Sequence, residues 1–123
     1  MGIAKENLEK IAKMMEGNKK VEDMFTTNIA GEDVPWNMTF QFNLNNEDPF
    51  YLEIKDKKVR VYDGANPNAE IVLIGDNNAI VKICNGKGDF THAISREEIT
   101  IEKGKVMDVI RLTKGITFAL KSK

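Results

Sequence analysis

Residues 38–44 alternate without a break: Met38, Phe40, Phe42 and Leu44 are apolar, and Thr39, Gln41 and Asn43 are polar. A period of two predicts a strand with one dry face and one wet face. Asn45-Asn46-Glu47-Asp48-Pro49 makes a turn, after which Phe50, Leu52 and Ile54 continue the dry face with Tyr51 and Glu53 behind. Asp56-Lys57 turns the chain again, into Val59 and Val61 with Lys58, Arg60 and Tyr62 outside. Short turns between alternating strands predict an antiparallel meander. The chain before it follows a different period. Leu8, Ile11, Ala12 and Met15 fall at i, i+3, i+4, i+7 and predict an amphipathic helix closed by Gly17-Asn18. Val21, Met24, Phe25 and Ile29 predict a second helical stretch up to Gly31, so residues 1–31 read as a helical part.

Beyond the meander, Ile71-Val72-Leu73-Ile74 is nearly all apolar and predicts a strand buried on both faces. Asp76 can cap a helix with Ala79, Ile80, Ile83 and Cys84 on one face, and Gly86 ends it. Asp89 caps the next, where Phe90, Ala93 and Ile94 fall at i, i+3, i+4. Residues 98–102 alternate again, and Gly104 turns the chain into a closing helix. There Val106, Val109, Ile110, Leu112, Ile116, Ala119 and Leu120 take about half the circumference. Only the helices can cover the dry face of the meander. The expected fold is α+β, a two-layer sandwich: a mainly antiparallel five-stranded sheet with one face covered by helices, as one domain over residues 1–123.

Composition narrows the function. Among 123 residues, 41% are hydrophobic and 30% charged, as in ordinary globular proteins, and a net charge of -1 gives no reason to expect nucleic acid. His92 and Cys84 are the only residues of their kinds, too few for a zinc site. Cys84 lies on an apolar helix face and reads as buried and inert; His92 lies on a polar side and reads as exposed. Asn85-Gly86-Lys87-Gly88-Asp89 is neither a Walker loop nor a dinucleotide fingerprint. No catalytic residue, cofactor or metal is expected, and the chain reads as a non-enzyme. One cysteine, a charged N-terminus and no apolar run of spanning length point to a cytoplasmic location. The terminal Lys121-Ser122-Lys123 is not a peroxisomal address.

The charges are segregated. Residues 22–70 hold ten acidic and four basic side chains, a net of -6, whereas residues 103–123 hold six basic and one acidic, a net of +5. On the closing helix Met107, Arg111, Lys114 and Phe118 form a second line away from the main apolar side. Two readings stay open for it. Met107 and Phe118 either pack beneath the N-terminal helices, or the line Arg111, Lys114, Phe118 touches a membrane or a partner. Gly115, in mid-helix, marks a hinge or a close packing contact.

The order of elements resembles the sterol carrier protein 2-like domain family. Thr39-Phe40-Gln41-Phe42, Tyr51-Leu52-Glu53-Ile54 and Asn85-Gly86-Lys87-Gly88-Asp89-Phe90, followed by a small-residue helix, a strand and a long helix, carry the likeness over residues 37–120. The resemblance implies an apolar ligand such as a fatty acid, an acyl-CoA or a sterol-like isoprenoid, held in a tunnel between sheet and helices. Phe40, Phe42, Leu73 and Ile101 of the sheet and Ile80, Ile83, Val106 and Ile110 of the helices would line that tunnel, with Met107 near its mouth. An anionic membrane surface or a CoA phosphate would meet the basic closing helix. The competing reading is a protein-interaction module with a filled core. Neither reading indicates an oligomeric state.

Overall fold

The computed structural model describes residues 2–121. In chain order its elements are α1 (Ile3–Met15), α2 (Lys19–Met24), β1 (Thr26–Ile29), β2 (Glu32–Pro35), β3 (Met38–Asn45), β4 (Phe50–Lys55) and β5 (Lys58–Asp63). Then follow β6 (Ile71–Asp76), α3 (Asn77–Cys84), α4 (Phe90–Ser95), β7 (Ile99–Lys103) and α5 (Val106–Lys121). The five long strands form one sheet in the order β5-β4-β3-β6-β7. β3, β4 and β5 are the meander that the alternation predicts. β6 returns parallel to β3, and β7 closes the far edge antiparallel. The fold is therefore α+β with a mostly antiparallel sheet.

The dry face is the one the helices cover. Phe40, Phe42, Phe50, Leu52, Ile54 and Leu73 are fully buried there, against Leu8, Ile11, Ile80, Val109 and Leu112. The predicted caps form: Asp76 accepts from the Asn78 N–H at 2.9 Å, and Asp89 accepts from the His92 N–H at 2.8 Å. Gly75 sits at φ 141, where a Cβ would collide with the Glu98 carbonyl oxygen. Glycine there lets the start of β7 close on the end of β6, beside a register shift between Val72 and Leu73.

Three expectations are corrected. The second helix stops at Met24, and the helical part expected over 1–31 gives way to the hairpin β1–β2. Ile29 thus lies exposed in a strand. Thr26, Thr27 and Ile29 are β-branched and favour the extended backbone, while Ala30 and Gly31 take the positive φ values, 52 and 85, of a tight hairpin turn. The strand at residues 71–74 is not buried on both faces: Ile71 and Leu73 are buried, but Val72 and Ile74 are half-buried. The wet face in turn holds one buried polar residue, Gln41. Its amide donates to the carbonyls of Phe50 at 3.0 Å and Gly64 at 3.3 Å, and its oxygen accepts from the Asn66 N–H at 2.7 Å. The loop after β5 folds over it, so the amide is buried with its hydrogen bonds made.

Candidate ligand site

The residues expected to line a tunnel divide into three groups. Phe40, Phe42, Leu73 and Ile80 are fully buried and Ile83 nearly so, all in one core between sheet and helices. The Phe42 ring stacks on Phe50 at 5.0 Å. Ile101 and Ile110 are half-buried at the margin of that layer. Val106 and Met107 stand outside it, 46% and 75% exposed. Val106 opens α5, before the helix turns its apolar side inward at Val109, so its place in the apolar repeat does not put it in the core.

Two clefts reach the layer from its flanks. One, of about 300 Å³, runs between α1 and edge strand β5, with Ala12, Val59 and Val61 as apolar walls and Glu9, Lys13 and Arg60 at its rim. The other, of about 240 Å³, lies between the end of α3, the glycine turn and the last turns of α5. Ile83, Ile116 and Leu120 line it, with Thr113, Thr117 and Lys121. Thr113 and Thr117 donate their hydroxyls back to the carbonyls of Val109 and Thr113, at 3.2 and 3.0 Å. Ile83 belongs both to the core and to this cleft. It is the expected ligand residue that connects the layer to the surface.

The expected contact line Arg111, Lys114, Phe118 is split by the structure. Arg111 donates from Nε to the Met24 carbonyl at 2.7 Å and from Nη2 to the Thr26 carbonyl at 2.8 Å. Its guanidinium also lies 4.5 Å from the centroid of the Trp36 ring. Desolvation by these neighbours lowers its pKa, with Asp108 opposing. The group caps the last carbonyl of α2 and the first of β1 and is committed to contacts within the chain. Lys114 is exposed, and Phe118 is half-buried against the core. Gly115, one turn after Arg111, makes a close packing contact: a Cβ there would lie 2.6 Å from Phe25 Cζ.

Cys84 is buried, and burial pushes its thiol up to about 12. His92 is exposed, 3.4 Å from Asp89. Two residues that organise the site carry no periodic signal. Trp36 is a lone aromatic after Pro35, and its ring bridges Phe25 at 5.6 Å and Phe40 at 6.0 Å. Glu47 lies in a turn, yet its Oε1 accepts from the Ala4 N–H and the Asn77 amide, both at 3.0 Å. Its Oε2 accepts from the Lys5 N–H at 3.3 Å. One carboxylate thus anchors the starts of α1 and α3, where bare N–H groups and the helix dipole favour negative charge. The signal was one of two adjacent acids, Glu47 and Asp48, in a five-residue turn long enough to fold back.

Among the described residues no group of acidic, histidine or cysteine side chains is arranged to hold a metal ion. No helix among them is long and apolar enough to cross a membrane. Residues 30–114 match the SCP-2 sterol transfer family. No curated protein matches the sequence. Solved structures share the fold at low identity. The ubiquinone synthesis protein UbiJ-SCP2 is similar with a TM-score of 0.68 at 12% identity, over 94% of each chain. Palmitated SCP2L2 from Aedes aegypti is similar with a TM-score of 0.58 at 16% identity, over 94% of this chain and 95% of that one. The sec-alkylsulfatase Pisa1 from Pseudomonas sp. is similar with a TM-score of 0.55 at 17% identity. The match covers 67% of this chain and 13% of the sulfatase, so the chain spans only a small part of that enzyme.

Proposed function

The chain belongs to the SCP-2 sterol transfer family, and from that premise we propose that it binds and carries an apolar lipid in the layer between sheet and helices. Membership supports lipid binding in general. The observation that carries the reading to this chain is the continuity of the buried layer with the cleft at Ile83, Ile116 and Leu120. A ligand entering there meets Ile83, Ile116 and Leu120 at once, and Ile80 and Phe40 belong to the same buried core. Binding is driven by burial of the chain, about 0.8 kcal/mol per CH₂. The palmitate of the related SCP2L2 is the precedent for a single acyl chain in this fold. The function is carriage without chemistry, in the cytoplasm, with transient contact to anionic membrane through the exposed Val106 and Met107 at the start of α5.

One observation favours a second reading. Phe40, Phe42, Leu73 and Ile80 leave one another no exposed surface, as in a module whose core is filled and whose work is protein contact. Mass spectrometry of lipid extracted from the purified protein, with melting temperatures across a panel of fatty acids, decides between them. A ligand that binds only the folded state raises the melting temperature by mass action. No co-purified lipid and no shift at saturation would leave the interaction module.

A further inference from the structure

The β1–β2 hairpin is a two-stranded sheet apart from the large one. Asn28 to Asp33 are exposed throughout, Ile29 to 58%. Arg111 of α5 takes the Thr26 carbonyl, and Thr26 and Thr27 are half-buried, so β1 lies toward the molecule and β2 is the outer strand. A hairpin of two strands is marginal in water, and a third strand along its free side stabilises it. The large sheet has a free edge of its own at β5. Beside that edge the cleft of about 300 Å³ between α1 and β5 continues into a second of about 210 Å³ at the β4–β5 turn, the two sharing Ala12, Glu16, Val59 and Arg60. We infer that β2 docks along β5 of a second copy of this chain, and that the β2 of that copy docks on the first in return.

Charge selects this pairing. Residues 26–35 hold two acids, Glu32 and Asp33, and no base, a net of -2. Residues 53–60 hold four bases, Lys55, Lys57, Lys58 and Arg60, and two acids, Glu53 and Asp56, a net of +2. The four bases and both hairpin acids are exposed, and none of them has an ion pair among the described residues. Glu16 and Glu22 also border the groove, but from α1 and α2, across from the strand. Lysines on an edge repel a strand of their own kind, so β5 rejects another β5 and accepts an acidic strand. Ile29 and Val34 share one face of the hairpin, since Thr27 pairs with Val34 and Ile29 with Glu32. That face brings apolar side chains to the groove walls at Ala12, Val59 and Val61. Hairpin and basic turn also flank the same end of the molecule. Asn37, just after β2, accepts from the Asp56 N–H of the β4–β5 turn at 3.1 Å. A two-fold axis at that end makes the exchange reciprocal and closed.

Sedimentation equilibrium of the full chain tests this. A dimer is expected, with a dissociation constant that rises about tenfold as salt goes from about 0.05 to about 0.5 M. Glu32→Lys with Asp33→Lys, and separately Lys57→Glu with Lys58→Glu, are each expected to weaken it about a hundredfold, because like charges then face each other. Mixed in equal amounts, the two variants are expected to form a heterodimer in which both contacts again join opposite charges. Circular dichroism of each variant, expected to match the native chain, separates lost docking from lost fold. A native chain that stays monomeric up to about 1 mM, a dimer that either folded variant keeps, or folded variants that fail to associate when mixed overturns the inference. Growth beyond the dimer overturns it as well, since the contact would then run head to tail without closing.

Discussion

Gly115 illustrates how one residue decides a packing contact. In a helix interior glycine costs roughly 1 kcal/mol relative to alanine, so by propensity Gly115→Ala should stabilise. The added methyl, however, would meet Phe25, a fully buried ring held by Trp36. Forcing a methyl into a filled site costs about 1–3 kcal/mol, so a net loss near 1 kcal/mol is expected in urea unfolding. In a Phe25→Leu background the same change should turn stabilising; a gain in the native background would refute the contact. Cys84 gives a second test. Its folded pKa is raised from 9.0 to about 12 by burial, so the folded chain keeps the thiol proton longer than the unfolded chain. The stability this contributes is complete below pH 9 and falls as pH rises toward 12, by about 1.4 kcal/mol per unit. Comparing the alkaline stability slope with that of Cys84→Ala isolates it, and native protein should label slowly with thiol reagents. The inert thiol was legible from the helix face it shares with Ile80 and Ile83. The Gly115 contact was not, because its partner lies ninety positions away in a segment that reads as helix but turns to hairpin.

The elements were legible wherever one face of each was wet. The meander, both capped helices and the closing helix follow from period and cap residues alone. The hairpin β1–β2 was missed because Val21, Met24, Phe25 and Ile29 happen to fit helical spacing, while the turn at Ala30 and Gly31 is a local backbone preference that outweighs it. The tie between elements was also hidden. Glu47 reads as a solvated turn acid, but it joins α1 to α3 through three hydrogen bonds. Glu47→Ala should leave the buried Asn77 amide without a partner and open the first turn of α1, costing about 1–3 kcal/mol. Hydrogen exchange should speed up at Ala4 and Lys5 while the strands stay protected; unchanged exchange at those amides would show that the helix starts hold themselves. This joint ties α1 to α3 beside the buried layer, so on the proposed carrier reading the same variant tests how far α1 must hold for a ligand to stay bound.

At the scale of the molecule, the basic C-terminal segment meets exposed apolar surface at the junction of β7 and α5. There Lys105, Val106 and Met107 follow one another, all exposed, while Lys103 turns inward to the Ala69 carbonyl at 3.0 Å. The cationic line read from the helix alone is weaker than it looked, because Arg111 is spent on Met24, Thr26 and Trp36. On the proposed carrier reading, membrane contact would fall to Met107 for apolar insertion and to Lys105 and Lys114 for attraction. Each such lysine near an anionic surface is worth about 1 kcal/mol, screened over a Debye length of roughly 8 Å at physiological salt. The protein should bind anionic vesicles better than neutral ones, and added salt should erase the difference. Met107→Ser should weaken both, since it removes apolar area, whereas Lys105→Glu with Lys114→Glu should remove only the preference for anionic lipid. Arg111→Lys separates the roles. It should lower stability through the lost fork and ring contacts yet leave vesicle binding unchanged. Equal binding to neutral and anionic vesicles, binding to neither, or a vesicle defect in Arg111→Lys at full stability would return this face to ordinary solvated surface.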